Sequence, residues 1–123
     1  RVSVAGDTVI FCPYALRNAS AHEVKLWNSK TDSLRKLVHL GVYTCQHHAG
    51  RVFTASNQGT VHVWDLETAE LIGIYNKVIP LRFITPVAVR VDETEKLWII
   101  KNFFGARTYN VDTSLFLLID SMQ

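Results

Sequence analysis

Histidine and cysteine are the side chains of this sequence best suited to chemistry, and their spacing decides whether they could act together. The chain contains five histidines, two of them adjacent at His47 and His48. Neighbouring residues on a strand point to opposite faces, so this pair cannot easily hold one metal ion. No HExxH or Cys/His knuckle spacing occurs. We therefore expect no metal and no cofactor, and we expect His47 and His48 to begin a turn.

The two cysteines, Cys12 and Cys45, match no metal-binding or redox spacing. Unpaired thiols are the usual state of cysteines in a reducing compartment. The sequence therefore predicts two buried free thiols and a cytoplasmic location.

Acidic side chains cluster at Asp92, Glu93 and Glu95, where they could in principle supply a general acid and a general base. Lys96 follows them, and a charged segment of this kind is typical of a solvated turn between strands. The sequence has no Gly-x-Ser-x-Gly elbow and no glycine loop that could cradle a phosphate. We expect no catalytic residues and a protein that is not an enzyme.

Composition restricts the class of protein further. The chain has 123 residues, of which 48% are hydrophobic and 20% charged, and this balance predicts one globular unit over residues 1–123. No apolar run is long enough for a membrane span. The net charge is only +2 and the basic residues are scattered, so we expect no nucleic-acid partner. Arg35 and Lys36, the nearest approach to a basic cluster, are expected to be solvated on an outer strand.

Three segments of the chain repeat one another when Trp27, Trp64 and Tyr109 are aligned. These residues are 37 and 45 positions apart, and a period of about 40 residues is typical of one four-stranded blade of a β-propeller. Each is followed by Asn or Asp at +1, by Thr at +4 and by apolar residues at +7 and +10. The matching columns are Asn28, Asp65 and Asn110; Thr31, Thr68 and Thr113; Leu34, Leu71 and Phe116; Leu37, Ile74 and Ile119. We therefore expect an all-β fold with Trp27 and Trp64 in equivalent surroundings.

The repeat predicts three blades of four antiparallel strands, with approximate bounds of 1–38, 42–75 and 84–120. In the middle blade the strands are expected at 42–46, 51–56, 60–64 and 71–75, with β-branched residues that suit a pleated surface. Asp65 and Thr68 are expected to close the turn before the last of these strands, since their side chains can accept hydrogen bonds from nearby backbone amides. The first blade has strands at 1–4, 8–12, 23–27 and 34–38, and the third at 86–91, 96–101, 107–111 and 115–119.

Residues 50–65, with the sequence GRVFTASNQGTVHVWD, resemble a WD repeat, the blade unit of a large family of β-propellers. Trp64-Asp65 matches the dipeptide that names the family, and Gly59-Thr60 falls at the hairpin turn before the third strand. The equivalent dipeptides of the other two segments begin at Trp27 and Tyr109. The resemblance implies a divergent propeller.

The family's usual polar network is expected to be missing. Many WD repeats join the Trp and a hydroxyl residue to an Asp in the turn before the third strand and to the His of a Gly-His pair before the first strand. Here Gln58 occupies the turn, and His39-Leu40 is the nearest equivalent of the pair. We therefore expect the blades to be held mainly by apolar packing. The residues concerned are Phe53, Val61, Val63, Leu71 and Ile74.

Three blades are fewer than the four to eight that usually close a propeller, so an open arc would leave the apolar faces of its end blades in water. Either further blades or a second copy of the chain must cover those faces. Because Arg1 is not an initiator residue and the first inner strand is short, we expect the chain to be part of a larger ring.

Members of the family often hold partners on the rim formed by the loops between fourth and first strands and between second and third strands. Residues 14–22, 76–85 and 103–105 map to that rim. They carry apolar and arginine side chains of the kind that anchor protein interfaces: Tyr14, Leu16, Arg17, Ile79, Leu81, Arg82, Phe103 and Phe104. We expect a non-catalytic scaffold that binds a partner protein there.

Two other interpretations stay open at this point. Phe103 and Phe104 could instead fill the space between blades, in which case they bind no partner. The module could also recognise a sugar, a lipid headgroup or a phosphopeptide at its channel. A basic or aromatic pocket lining the channel would favour this second function.

Overall fold

The fold is all-β in the part of the chain that the computed structural model describes, which is residues 2–12, 22–56, 60–75, 88–91, 93, 97–102, 106–110 and 116–118. Four consecutive strands form sheet 1: β1 (Val2–Ala5), β2 (Thr8–Phe11), β3 (Glu23–Asn28) and β4 (Ser33–Val38). Each strand pairs with the next in antiparallel register. The all-β prediction is therefore confirmed.

Sheet 2 uses the next four strands in the same antiparallel order: β5 (Val42–His48), β6 (Arg51–Ser56), β7 (Val61–Asp65) and β8 (Leu71–Tyr75). Sheet 3 contains three strands among the described residues: β9 (Ala88–Val91), β10 (Leu97–Asn102) and β11 (Ala106–Asn110). A last strand, β12 (Phe116–Leu118), pairs with β8 and adds a fifth strand to the outer edge of sheet 2.

Most predicted strands agree with the observed ones to within one or two residues, but two local predictions are wrong. The segment 115–119 is predicted as the fourth strand of sheet 3, but its described residues, Phe116–Leu118, pair with β8 instead. An apolar run specifies a strand without specifying the edge that it pairs with. His47 and His48 end β5 and do not begin a turn, because Ala49 and Gly50 supply the positive φ angles of the turn.

Sheets 1 and 2 repeat one another in backbone detail. In the turn after β3, Asn28 Oδ1 accepts hydrogen bonds from the backbone N–H groups two and three positions later, at 2.9 and 3.1 Å. In the turn after β7, Asp65 Oδ1 does the same at 2.8 and 3.0 Å. The fifth residue after each tryptophan, Asp32 or Ala69, has a positive φ of 53° or 60°. The role expected for Asp65 is confirmed, and Asn28 has the same role.

The main core lies between sheets 1 and 2. Seven of its buried side chains form one cluster: Ile10, Val24, Leu26, Leu37, Val42, Val52 and Trp64. Complete burial of an aliphatic side chain of this kind contributes about 1.5–3 kcal/mol. Leu71, one of the predicted packing residues, contacts this cluster.

Sheet 2 is buried on both faces, whereas sheet 1 is buried on one. Five consecutive residues of β6, from Val52 to Ser56, are buried. Phe53, Val61 and Val63, predicted to hold the blade by packing, are buried on the face of sheet 2 that points away from sheet 1. Strand β9 of sheet 3 approaches β5 and β6. Sheet 2 is therefore the central layer of the described structure.

Cys12 and Cys45 form a disulfide bond that links the end of β2 to β5, with their Cα atoms 5.9 Å apart. The prediction of two free thiols is therefore wrong. The sequence separation of 33 residues carries no pairing signal, because the two residues meet only when sheet 1 packs against sheet 2.

Candidate functional site

A chain of hydrogen bonds joins the tryptophan of sheet 2 to the connection that enters the sheet. The indole Nε1–H of Trp64 donates to Thr54 Oγ1 at 2.9 Å. Thr54 Oγ1 lies 2.8 Å from Nδ1 of His39, and Nε2 of the same ring lies 2.8 Å from Thr60 Oγ1. Thr60 Oγ1 is 2.7 Å from Ser56 Oγ. With the His39 proton on Nε2, every contact in this chain pairs a donor with an acceptor.

Strand alternation explains how these residues meet. Thr54 and Ser56 are two positions apart on β6 and share one face, and cross-strand pairing places Trp64 opposite Val52 on that same face. His39 comes from the short connection between β4 and β5. Its backbone N–H donates to the carbonyl of His22 at 2.8 Å, so its ring is aimed at β6 by contacts on sheet 1 as well.

A second imidazole stacks on the first. The ring centroids of His39 and His62 are 3.6 Å apart and their planes differ by 4°. Burial, and then the neighbouring His62 ring, lower the pKa of His39 to about 3. Burial also lowers the pKa of His62. Both rings are therefore neutral at neutral pH, and neither is poised as a general base in that range.

The polar network that the sequence was expected to lack is thus present in altered form. Trp64, Thr54 and His39 are joined, and Thr60 with Ser56 takes the role expected for an aspartate. A signal for it exists in the sequence: the hydroxyl residues Thr54 and Ser56 alternate along β6, and Thr60 comes directly before β7. A hydroxyl can satisfy the same imidazole N–H as an aspartate, so the absence of an aspartate from the turn does not exclude the network.

Trp27 of sheet 1 has the same strand position as Trp64 and different side-chain surroundings. Its indole Nε1–H donates to Asp32 Oδ1 in the following turn, at 2.8 Å. The position equivalent to Thr54 is Phe11, which has no hydroxyl. Lys25 stands at the position equivalent to His62. The expectation of equivalent surroundings is therefore confirmed for the backbone and wrong for the side chains.

The outer face of sheet 1 is apolar and exposed. Its side chains form two rows across the four strands: Val4, Val9, Trp27 and Leu34 in one row, and Val2, Phe11, Lys25 and Lys36 in the other. Val4 is 62% exposed and Leu34 is 55% exposed. At the end of this face Glu23 lies 3.9 Å from the ammonium groups of both Lys25 and Lys36.

An open cleft of about 540 Å³ lies where the tight turns of sheets 1 and 2 meet. Side chains of both charge signs line it, including Asp7, Arg51, Asp65 and Glu67. The backbone amide of Thr68, which donates to the Asp65 carboxylate, lowers the pKa of that group. Three of the four charged residues that line the cleft are acidic, so its lining has a net negative charge. Across the described ranges, no group of three or more metal-ligating side chains lies together.

Arg35 reaches across a smaller adjoining cleft of about 220 Å³. Its guanidinium donates to the backbone carbonyl of Glu67, and this contact links β4 to the turn after β7. Arg35 is exposed on β4, as expected, and it also makes this one contact with sheet 2, because its side chain lies on the inner face of sheet 1.

All eight residues predicted to bind a partner lie outside the described residues. They are Tyr14, Leu16, Arg17, Ile79, Leu81, Arg82, Phe103 and Phe104. The described part of the same edge is the connection between β4 and β5, where Leu40 is 62% exposed. Leu40 is a further candidate for this edge, and an isolated exposed leucine beside His39 carries no signal for binding in the sequence.

No protein-family model matches the sequence, and no curated protein matches it. One matching solved structure is an S. cerevisiae assembly described as a Dbp5 variant bound to Nup159, a Gle1 variant, IP6 and ADP. The matching chain is 13% identical to this one, with a TM-score of 0.54, and the likeness covers 90% of this chain. This chain spans 36% of the length of that chain. At this identity the likeness bears on the fold alone. Within the described residues, no helix is long and apolar enough to cross a membrane.

Proposed function

We propose that the chain is a segment of a divergent WD-repeat propeller and that it works as a non-catalytic scaffold for protein interactions. Partners bind on the edge formed by the connections between β2 and β3, β4 and β5, β6 and β7, and β8 and β9. Further sheets of the same kind cover the open face of sheet 1.

The apolar outer face of sheet 1 is the observation that carries this proposal. Sheet 2 presents Val52, Trp64 and Leu71 as one row, and that row packs against sheet 1. Sheet 1 presents Val9, Trp27 and Leu34 at the equivalent positions of its outer face. An exposed apolar surface of this extent is typical of an interface. By the same packing, a further sheet with an aliphatic face fits here.

Two other observations support the proposal. The hydrogen bonds that join Trp64, Thr54 and His39 connect residue types that WD repeats use together. The likeness to a solved structure, with a TM-score of 0.54 over 90% of this chain, supports the arrangement of the sheets.

Self-association of the chain tests the proposal that another sheet covers the apolar outer face of sheet 1. A chain with an uncovered apolar face should associate reversibly as its concentration rises, and Leu34→Lys should reduce this because a charge on the face opposes burial. Leu117→Lys is the matched control, since Leu117 is an exposed leucine on another sheet. Sedimentation velocity measures the effect. Equal association of both variants would remove the outer face from the proposal.

The partner edge is tested by comparing opposite edges of the molecule. Leu81→Ala combined with Arg82→Ala should leave the circular dichroism unchanged and abolish cross-linking to a purified partner. Leu66→Ala combined with Arg51→Ala changes the same residue types in the cleft at the other edge and should leave cross-linking intact. Loss in the second variant alone would assign binding to the cleft and contradict the proposed edge.

A further inference from the structure

His39 holds the connection between β4 and β5 against sheet 2. Its backbone carbonyl accepts a hydrogen bond from the Val42 N–H at 3.0 Å, which fixes the turn of this connection. Its two ring nitrogens contact hydroxyls from either side of segment 57–59, Thr54 on β6 and Thr60 before β7. One imidazole therefore joins two of the connections that form the proposed partner edge.

The His62 ring stacks on His39, and this contact disfavours a positive charge on either imidazole. The two imidazoles lie face to face at 3.6 Å, so protonation of both would bring like charges into direct contact. The Nδ1 atom of His62 is buried without a hydrogen-bond partner among the described residues. A proton added there would find no acceptor in those ranges.

The groups around the pair supply no compensating negative charge. On the same face of sheet 2, β5 carries Cys45, which is in the disulfide, and His47. The opposing face of sheet 1 carries Arg35, which lies towards the tight turns. His22 flanks the connection through its backbone. Across the described strands that pack on the pair, no carboxylate faces it.

We propose that the stacked His39–His62 pair is an acid-operated latch that keeps the β4–β5 connection closed at neutral pH and releases it on acidification. This proposal rests on the proposed function in one respect: opening of the connection can regulate partner binding only if partners bind at that edge. Release would free the connection around Leu40 to move and would change the shape of the partner edge.

The direction of the effect follows from the two protonation states. In the closed form burial holds the pKa of both rings below the ordinary histidine value of about 6.5. In the open form both rings are hydrated and titrate near that value. The closed form thus binds fewer protons. Its stability relative to the open form is greatest above about pH 6.5 and decreases as the pH falls. Opening rises by up to about tenfold per pH unit for each ring that gains a proton.

Amide hydrogen exchange in the whole chain tests the latch. The amides of His39, Val42 and Ser56 report its closure, because each donates a backbone hydrogen bond at these connections. Between pH 6.5 and 5.5, after correction for intrinsic exchange, their protection should fall by about fivefold if one ring gains a proton on opening and by about thirtyfold if both do. The Ser29 amide, bonded to Asp7 at the opposite edge of sheet 1, should show little change.

Substitution of His62 separates the latch from general acid unfolding. His62→Phe keeps an aromatic ring on His39 and removes one titrating group, so the fall in protection over this pH range should shrink from about thirtyfold to about fivefold. His62→Gln serves the same purpose if the phenylalanine variant does not fold. His22→Gln is the control and should retain the full pH dependence.

A pH dependence shared equally by Ser29 and the latch amides, or unchanged by both His62 variants, would overturn the latch. The measurement needs no partner. Failure of the latch is therefore distinguishable from failure of the proposed partner edge, which the cross-linking variants test.

Discussion

Trp27 and Trp64 occupy the same strand position in sheets 1 and 2, yet the two side chains are held differently. Each lies opposite a valine of the preceding strand and a leucine of the following one. Trp64 is 8% exposed and donates to a hydroxyl of the neighbouring strand. Trp27 is half-buried and donates to Asp32 in the turn that follows it. The repeated backbone therefore sets the strand position of each tryptophan, whereas the neighbouring side chains set its burial and its hydrogen-bond partner.

The repeated backbone depends on features that several residue types can supply. An Asn or an Asp can close the turn after each tryptophan, and the positive φ in that turn is adopted by Asp32 in one sheet and Ala69 in the other. The polar network is more demanding, since it needs hydroxyls at two positions and an imidazole between them. Sheet 1 has Phe11 and Glu23 at the positions of those hydroxyls and cannot form it.

Replacing each tryptophan by alanine should give the largest difference between the sheets. Trp64→Ala should lower the free energy of unfolding by about 3–5 kcal/mol, because it leaves a cavity in the core and removes the donor to Thr54. Trp27→Ala should cost roughly half as much or less, since part of that ring is already in water. Chemical denaturation measures both. Equal costs would contradict the different burial of the two rings.

Reducing the disulfide should loosen the link between the two sheets. A bond that closes a loop of this length stabilises a protein by about 3–4 kcal/mol in the chain-entropy account. Cys12→Ala combined with Cys45→Ala should lower the unfolding free energy by a similar amount and make the protein insensitive to reductant. If reductant does not change the stability of the unsubstituted chain and both thiols react freely, the bond between the sheets is absent.

Removing the central hydroxyl of the network should destabilise sheet 2 without a large change in volume. Thr54→Val leaves the Trp64 indole N–H and a nitrogen of His39 without their partner, at a cost of about 2–3 kcal/mol. Thr54→Ser keeps the hydroxyl and should cost about 1 kcal/mol, although it removes a buried methyl group. Thermal denaturation of both variants checks the order. A more stable valine variant would show that the network adds little.

Exchanging the turn residues should have the smallest effect and should be alike in both sheets. Asn28→Asp and Asp65→Asn each keep the side-chain oxygen that accepts two backbone amides, so stability should change by less than about 0.5 kcal/mol. Asn28→Ala and Asp65→Ala should each cost about 1 kcal/mol, since the amides lose that acceptor. A marked difference in stability between the two alanine variants would show that the two turns are not equivalent.

The sequence predicts the strands and turns of the chain well, because each of them is specified by residues within the same short segment. Turn residues such as Asp65, and β-branched runs such as those of β6 and β7, specify strands through their own conformational preferences. The three aligned aromatic residues further indicate that sheets 1 and 2 share one plan. The two sheets therefore share the same strands and turns although most of their side chains differ.

Long-range contacts are less predictable, because they depend on which surfaces meet. The bond between Cys12 and Cys45 and the pairing of β12 with β8 both join segments that no spacing rule connects. The hydrogen bonds of His39 form only after Thr54 and Thr60 are brought together by strand pairing. The cleft around Arg51 likewise exists only where four turns converge.

Hydrogen exchange of the indole N–H groups tests the comparison of the two tryptophans most directly. The signals are assigned in NMR spectra with single Trp→Phe variants, and exchange is followed with and without the Thr54→Val substitution. We expect the Trp64 indole to exchange far more slowly than that of Trp27 and to lose its protection in Thr54→Val, while Trp27 is unaffected. Similar exchange of the two indoles, or an effect of Thr54→Val on both, would contradict the account.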